Sequence, residues 1–246
     1  MDKYIRQYDV EINYINKVNL VGKYRFPQLK ATKELPEHVI SFHERNSIKD
    51  IQNYWIDFFI DDRHFNIISS FPLLTKCKKN IDNHKILKKQ QKISSIFKKL
   101  QSAKGVIAPD FSLYPDMSLA KRQFNCLKNR EITYLMQENG INTIPSVSWS
   151  MEEDFDYCFD GIPNNSSIAI STNGCKSEKY SKKIFLIGVA ELQRIKHPYK
   201  LIICGSGFLE LEKYNNIFYY NSFSKRWYIR EKNQWINKDY QTFFKF

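Results

Sequence analysis

The sequence predicts an α/β fold around a mainly parallel sheet, because short apolar runs alternate with longer segments of helical character. Five of these runs have their centres near Ile107, Ile144, Ala169, Ile202 and Phe218. The first three intervals between the centres leave room for a crossover helix, which parallel pairing requires. Small polar residues close each run, and such folds place their sites at that end of the strands. We therefore expect a small or incomplete (β/α) barrel, with a doubly wound open sheet as the alternative.

The chain divides into three parts by composition. Residues 1–50 are mixed in character and predict an N-terminal arm, irregular where two prolines bracket residues 27–36. Residues 51–224 predict the α/β core, with a Lys-rich helical insertion near 76–104. Residues 225–246 predict a C-terminal strand or tail.

Two connecting segments have helical periodicity and recognisable ends. In residues 117–139, one predicted apolar face comprises Ala120, Phe124, Leu127 and Tyr134, and Asn139-Gly140 provides a stop. In residues 177–196, the repeat is formed by Phe185, Gly188, Leu192 and Ile195, and His197-Pro198 ends the helix because proline cannot continue it.

The positive charge of the chain is concentrated in one segment. The 246 residues carry a formal net charge of +12, yet ten lysines and a single acid between Lys76 and Lys104 account for +9 of it. Clustered lysine attracts nucleic acid through its phosphates, whatever the base sequence. A solvated helix face, or the lysine bias of an AT-rich genome, would give the same pattern.

The Lys-rich segment is predicted to be an amphipathic helix. One apolar stripe is formed by Ile86, Ile93, Phe97 and Leu100, which suits docking onto the domain. The predicted nucleic-acid contacts on the remaining surface are Lys85, Lys88, Lys89, Lys92, Lys98 and Lys99. A basic amphipathic helix of this kind also suits a membrane surface.

A second basic stretch, residues 225–232, alternates cations with aromatic residues. Arg226 and Arg230 beside Trp227 suit stacking on unpaired bases. The same alternation is typical of an edge strand with Trp227 and Ile229 facing inward, and we favour that strand.

Several classes of protein are disfavoured. No apolar run approaches the length of a membrane span, and the N-terminal residues lack the apolar stretch of a signal peptide, so we expect a cytoplasmic protein with no membrane partner. Five widely spaced cysteines predict free thiols. No phosphate-binding loop, zinc-protease or serine-hydrolase motif is present, and the five histidines are scattered.

Polar residues at the predicted strand ends form a candidate active site. The predicted catalytic residues are Asp61, Asp110, Ser112, Tyr114 and Asp116, and the predicted metal ligands are Asp61, Asp110 and Asp160. Mg²⁺ would be the cofactor, because it prefers oxygen ligands and assists phosphoryl transfer or hydrolysis. The alternative is that Asp and Ser end strands because they favour turns and helix caps.

The acids around residue 152 have a local explanation. Ser150-Met151-Glu152-Glu153 has the form of a capping box, in which Glu153 reaches back to the Ser150 amide. Asp156 and Asp160 have no such explanation.

Two long motifs carry a resemblance to a known family. PDFSLYPDM (109–117) and VSWSMEEDFDYCFDGIPNNSSIAIST (147–172) resemble the PDFSLY…CFDGIP signature of a domain-of-unknown-function family of bacteria, phages and plasmids. WIDFFIDD (55–62), Gln123, Asn125 and Arg130 are also similar, so the resemblance covers roughly residues 50–222. It implies a mobile-genetic-element setting and no established activity.

These observations lead to three hypotheses. The first is a phage- or plasmid-associated protein that binds nucleic acid through the Lys-rich segment. The second is a Mg²⁺-dependent phosphoesterase or nuclease with an acidic site at the strand ends. The third is an inhibitor that occupies a host nucleoprotein.

Overall fold

The computed structural model describes residues 18–42, 44, 48–57, 97–172, 175, 179–205 and 207–220. The two bounded helices are α1 (Leu119–Glu138) and α2 (Lys179–Lys196), and residues 97–102 are also helical. The strands are β1 (Leu20–Val21), β2 (Phe26–Pro27), β3 (Val39–Ser41), β4 (Trp55–Asp57), β5 (Gly105–Ile107), β6 (Thr143–Ile144), β7 (Ser167–Ser171), β8 (Lys200–Cys204) and β9 (Ile217–Tyr220). All five predicted strand centres therefore lie in strands.

The main sheet is parallel and follows the order of the chain. One part pairs β3-β4-β5-β6 and the other pairs β7-β8-β9. A parallel bridge between Ser146 and Ala169 joins the two parts, since the Val147 amide donates to the Ala169 carbonyl at 3.0 Å. The predicted α/β class with mainly parallel pairing is confirmed.

The sheet is curled, as contacts between strands that are far apart in the strand order show. Side chains from every strand of the two parts meet in one buried cluster: Val39, Trp55, Ile107, Ile144, Ala169, Ile202, Cys204 and Tyr220. The Cys204 thiol on β8 donates to the Asp57 carboxylate on β4, with Sγ and Oδ2 3.9 Å apart. In a flat sheet these strands would lie about 19 Å apart, at roughly 4.8 Å per strand.

The curled sheet does not close within the described residues, since β9 and β3 are its unpaired edges there. It combines the sequential strand order of a barrel with the open edges of the alternative. Gly105 allows the Trp55 indole to lie across β5. A Cβ at this position would lie 2.4 Å from Cζ3 of Trp55, so a larger residue would clash with the ring.

Helix α1 has the predicted bounds to within two residues, and half of its predicted apolar face is confirmed, since Leu127 and Tyr134 pack partly buried against the core. Ser118 caps the first turn by accepting from the Lys121 amide, and Gly140 follows the last turn with φ of 74°. Ala120 and Phe124, predicted to face the core, are exposed. The buried face instead comprises Arg122, Asn125, Cys126, Asn129, Arg130, Ile132, Thr133 and Met136.

Helix α2 packs on the outer side of β7 and β8, as an amphipathic crossover helix does. Phe185 and Leu192 are buried, as predicted, and His197 follows the helix with φ of 47° ahead of Pro198. The predicted helix and its end are confirmed.

The described part of the arm lies against the sheet. The β1–β2 hairpin leads into an irregular stretch in which the Leu29 amide donates to the Gly161 carbonyl at 2.9 Å. The arm region also contains β3, a strand that the sequence analysis did not identify. The domain boundaries themselves stay a prediction. Within the described ranges, no helix has the length and apolar character needed to cross a membrane.

Candidate functional site

The inner face of the curled sheet changes from apolar to polar at the carboxyl ends of its strands. Val39, Trp55, Ala169 and Ile202 fill the middle of this face. Two residues further along their strands stand Ser41, Asp57, Ser171 and Cys204, and Tyr220 pairs with Cys204. Parallel strands bring these ends to one edge, which we call the rim and which is where α/β folds place their sites.

Asp57 is a candidate site residue that sequence reasoning missed. Its side chain is buried at the end of β4, and its strand partners are Ser41 on β3 and Ile107 on β5. The alternation in Trp55-Ile56-Asp57 could have identified it, because residues two apart in a strand face the same side. The predicted site residue of this segment, Asp61, lies outside the described residues.

Asp110 lies at the rim just beyond β5 and is half-buried. Its charge acts on Cys175, in the connection between β7 and α2: burial first, and then the Asp110 carboxylate, raise the pKa of this thiol to about 11. Burial also raises the pKa of Cys126 to about 12. The described cysteines are free, as predicted, and these two are protonated and weakly nucleophilic at neutral pH.

The loop that carries Asp110 is held from below by the polar face of α1. The Asn129 amide donates to the Pro109 carbonyl and, at 2.7 Å, to Ser146 Oγ. One turn earlier, Asn125 donates to the Ser112 carbonyl at 2.8 Å. Side-chain amides on successive turns thus satisfy loop carbonyls that no strand can pair.

Arg130 connects the loops that follow β6 with the turn before β7. Its Nε donates to the Asp160 carbonyl at 2.8 Å and its Nη1 to the Ser146 carbonyl at 3.1 Å, while Nη2 donates to the Cys158 carbonyl. The guanidinium is completely buried, and this burial lowers its pKa. A planar five-donor group is suited to three carbonyls at once.

Arg122 and Asp154 form a buried ion pair at the start of α1. Arg122 Nε donates to Asp154 Oδ1 at 2.8 Å, and Nη1 donates to the Met117 carbonyl at 2.6 Å. Burial alone would raise the pKa of Asp154, but hydrogen bonds from Tyr157, Ser150 and Arg122 hold it below its usual value. Burial and the hydrogen bond to Asp154 raise the pKa of Tyr157.

The capping prediction was wrong by one residue. Asp154, not Glu153, accepts from the Ser150 amide at 2.7 Å. The short helical turn begins after Met151, so Asp154 is its third residue and the one that points back at the preceding amides. Glu153 instead accepts from Arg122 Nη2 at 3.2 Å.

The other predicted catalytic residues follow Asp110 on the same loop, with increasing exposure. Ser112 is half-buried, whereas Tyr114 and Asp116 are exposed. Asp160 lies next to the β1–β2 hairpin, where its carboxylate accepts a hydrogen bond from the Tyr24 amide at 3.3 Å. Within the described ranges, no three His, Cys, Asp or Glu side chains form a group that could hold a metal ion. The catalytic and metal assignments stay predictions.

The predicted basic helix enters the described residues at its C-terminal end. Phe97 and Leu100 are buried in the cluster formed with β4 and β5, whereas Lys98 and Lys99 are exposed. This alternation agrees with the predicted apolar stripe. Six predicted nucleic-acid contacts lie outside the described residues: Lys85, Lys88, Lys89, Lys92, Arg226 and Arg230.

Comparison with known proteins finds one matching family and two similar phage proteins. Residues 79–221 match a domain of unknown function, DUF4417. The gene 1 protein of Mycobacterium phage D29 is 27% identical over 184 residues, which are 74% of this chain and 60% of that protein. The gene 1 protein of Mycobacterium phage L5 is 28% identical over 186 residues, which are 74% of this chain and 71% of that protein. No solved structure matches the chain significantly.

Proposed function

We propose, for a chain that belongs to the DUF4417 family of domains of unknown function, that the Lys-rich segment 76–104 binds nucleic acid. The observation that carries this proposal is the arrangement at the end of the segment. Lys98 and Lys99 face solvent while Phe97 and Leu100 are buried against the sheet. A helix docked by its apolar stripe directs its cations outward, where phosphates can reach them.

The charge and the relatives support the same function. The segment contributes +9 of the net charge of +12, so the rest of the chain is nearly balanced. Each lysine that neutralises a phosphate releases counterions, so affinity falls steeply as salt rises. The two relatives named above are phage proteins, a setting in which nucleic acid is an abundant partner.

Fluorescence anisotropy with labelled single- and double-stranded DNA and RNA tests this function. We expect binding at low salt, with a log–log salt slope of about −0.9 per duplex phosphate contact. The double variant Lys98→Glu/Lys99→Glu should bind more weakly and with a shallower slope. Lys33→Glu/Lys213→Glu, which changes the net charge equally at exposed lysines elsewhere, is the matched control. Absence of binding at low salt, or equal weakening in both variants, would refute the proposal.

A second candidate function is a Mg²⁺-dependent phosphoesterase or nuclease at the rim. It is favoured by Asp57 and Asp110, which stand at the ends of the neighbouring strands β4 and β5. Carboxylates at adjacent strand ends can supply the oxygen ligands that Mg²⁺ uses when it assists phosphoryl transfer.

Turnover of labelled nucleic acid and nucleotides, with and without Mg²⁺, tests this second function. Asp110→Asn and Asp57→Asn should abolish metal-dependent turnover, and Asp156→Asn, at an exposed carboxylate paired with Lys23, should preserve it. Unchanged turnover in Asp110→Ala and Asp61→Ala would reject the assignment of these residues.

A further inference from the structure

The outer face of α1 and the loop before it expose an unusual group of side chains. Tyr114, Leu119 and Phe124 are 54%, 46% and 52% exposed. Lys121 Nζ and Lys128 Nζ lie 5.8 and 5.4 Å from the centre of the Phe124 ring. We call these five residues the aromatic–lysine face.

The orientation of α1 explains why these groups are at the surface. The buried face of the helix is taken by Arg122, Asn125, Asn129 and Arg130, which hold the carbonyls of the rim loops. Phe124 therefore cannot turn inward without releasing those hydrogen bonds. The fold keeps a large aromatic ring in water, next to two cations, where it adds nothing to the core.

The helix that carries the aromatic–lysine face also packs against the described end of the Lys-rich segment. Lys128 Nζ also lies 4.2 Å from the centre of the Phe111 ring, and Phe111 packs in the same buried cluster as Phe97 and Leu100. The Gln101 side chain donates to the Asn139 carbonyl at 2.9 Å, so residues 97–102 run beside the end of α1. Residues 97–102 and α1 therefore pack on the same buried cluster and meet at the end of α1 that is farther from Lys121.

We infer that the aromatic–lysine face binds single-stranded nucleic acid, with an unpaired base stacked on Phe124 and phosphates at Lys121 and Lys128. Aromatic rings flanked by cations bind unpaired strands because every base has a π face and every link has a phosphate. A duplex keeps its bases stacked on one another and offers no free face to Phe124. The inference rests on the proposed nucleic-acid function and names its substrate class and a second contact surface.

Substitutions of Phe124 test the stacking contact, with affinity measured for short single strands of DNA and RNA and for the matching duplex. Phe124→Ala should weaken single-strand binding by about 5- to 150-fold, the range for losing one base–aromatic stack, and leave duplex binding unchanged. Phe124→Leu should weaken it similarly, since leucine keeps apolar area but has no π face, whereas Phe124→Trp should retain it. The DNA and RNA arms identify which strand is preferred.

Tyr199→Ala is the matched control. Tyr199 is 45% exposed and also has lysines near its ring, Lys33 at 5.4 Å and Lys200 at 5.1 Å, but it precedes β8 and so lies at the opposite edge of the sheet. We expect its loss to leave single-strand affinity unchanged.

The outcomes separate this inference from the function on which it rests. If the wild type binds no nucleic acid at low salt, both fail. If it binds but Phe124→Ala or Phe124→Leu matches the wild type on single strands, the face is overturned while the lysine-dependent function stands. A change in sedimentation mass in Phe124→Ala, with single-strand affinity unchanged, would overturn it in favour of self-association.

Discussion

Replacing Arg130 by lysine should destabilise the protein strongly although it preserves the charge. The wild-type guanidinium reaches the carbonyls of Ser146, Cys158 and Asp160 and is completely buried. A lysine ammonium is a compact donor on a flexible stem and cannot span three carbonyls in a fork, so we expect it to lose two of them. At about 1.5–3 kcal/mol for each hydrogen bond to a charged group, the loss is about 3–6 kcal/mol.

Urea denaturation followed by tryptophan fluorescence and circular dichroism measures this loss as a change in the free energy of unfolding. The control is Arg194→Lys, since Arg194 is exposed and pairs with Glu191 one turn away at 2.6 Å. That substitution should cost below about 0.5 kcal/mol. A loss for Arg130→Lys of under about 1 kcal/mol would mean that the three carbonyls do not depend on the guanidinium.

Three further predictions concern single side chains. Burial raises the pKa of Glu131 from 4.5 to about 7, so the folded state binds its proton more tightly than the unfolded state. The free energy of unfolding should therefore fall as pH rises between these two values. Glu131→Gln should remove this fall in urea titrations at successive pH values. The pKa of Asp154 is lowered, so its contribution to the free energy of unfolding is present at neutral pH and is lost as pH falls through the folded-state pKa. In the same titrations, Asp154→Asn should reduce the free energy of unfolding most at neutral pH and least in acid. Gly188→Ala places a Cβ 2.1 Å from Cε2 of Trp149, so it should destabilise by about 1–3 kcal/mol and shift the tryptophan emission, despite the better helix propensity of alanine.

The fold could be predicted from the sequence wherever burial follows residue type. Strands such as β7 and β8 are buried on both sides of a parallel sheet, so they appear in the sequence as continuous apolar runs with clear ends. The ends of α1 and α2 were predicted to within two residues, because Gly140 and Pro198 stop a helix for local steric reasons.

The orientation of α1 and the site residues could be predicted less well, because they depend on hydrogen bonds to backbone carbonyls whose positions cannot be inferred from residue types. Asn125 and Arg130 face inward because they donate hydrogen bonds to loop carbonyls. The apolar periodicity of the helix gives no indication of those carbonyls. β3 is three residues long and gives too little pattern to detect. Asp57 was not predicted because the apolar stretch WIDFFIDD continues past it to Asp61, the acid that was predicted as the site residue.

The motifs that resemble the family signature supply backbone carbonyls to side chains of α1. In PDFSLYPDM, the carbonyls of Pro109, Ser112 and Met117 receive hydrogen bonds from α1, and in CFDGIP the carbonyls of Cys158 and Asp160 receive Arg130. Asn125 and Arg130, two α1 residues that share in the resemblance, thus bind backbone carbonyls of those motifs. Stability and binding should therefore respond to different substitutions. Arg130→Lys should lower the melting temperature while the folded protein keeps its affinity for nucleic acid. Lys98→Glu/Lys99→Glu should lower that affinity and leave the melting temperature unchanged.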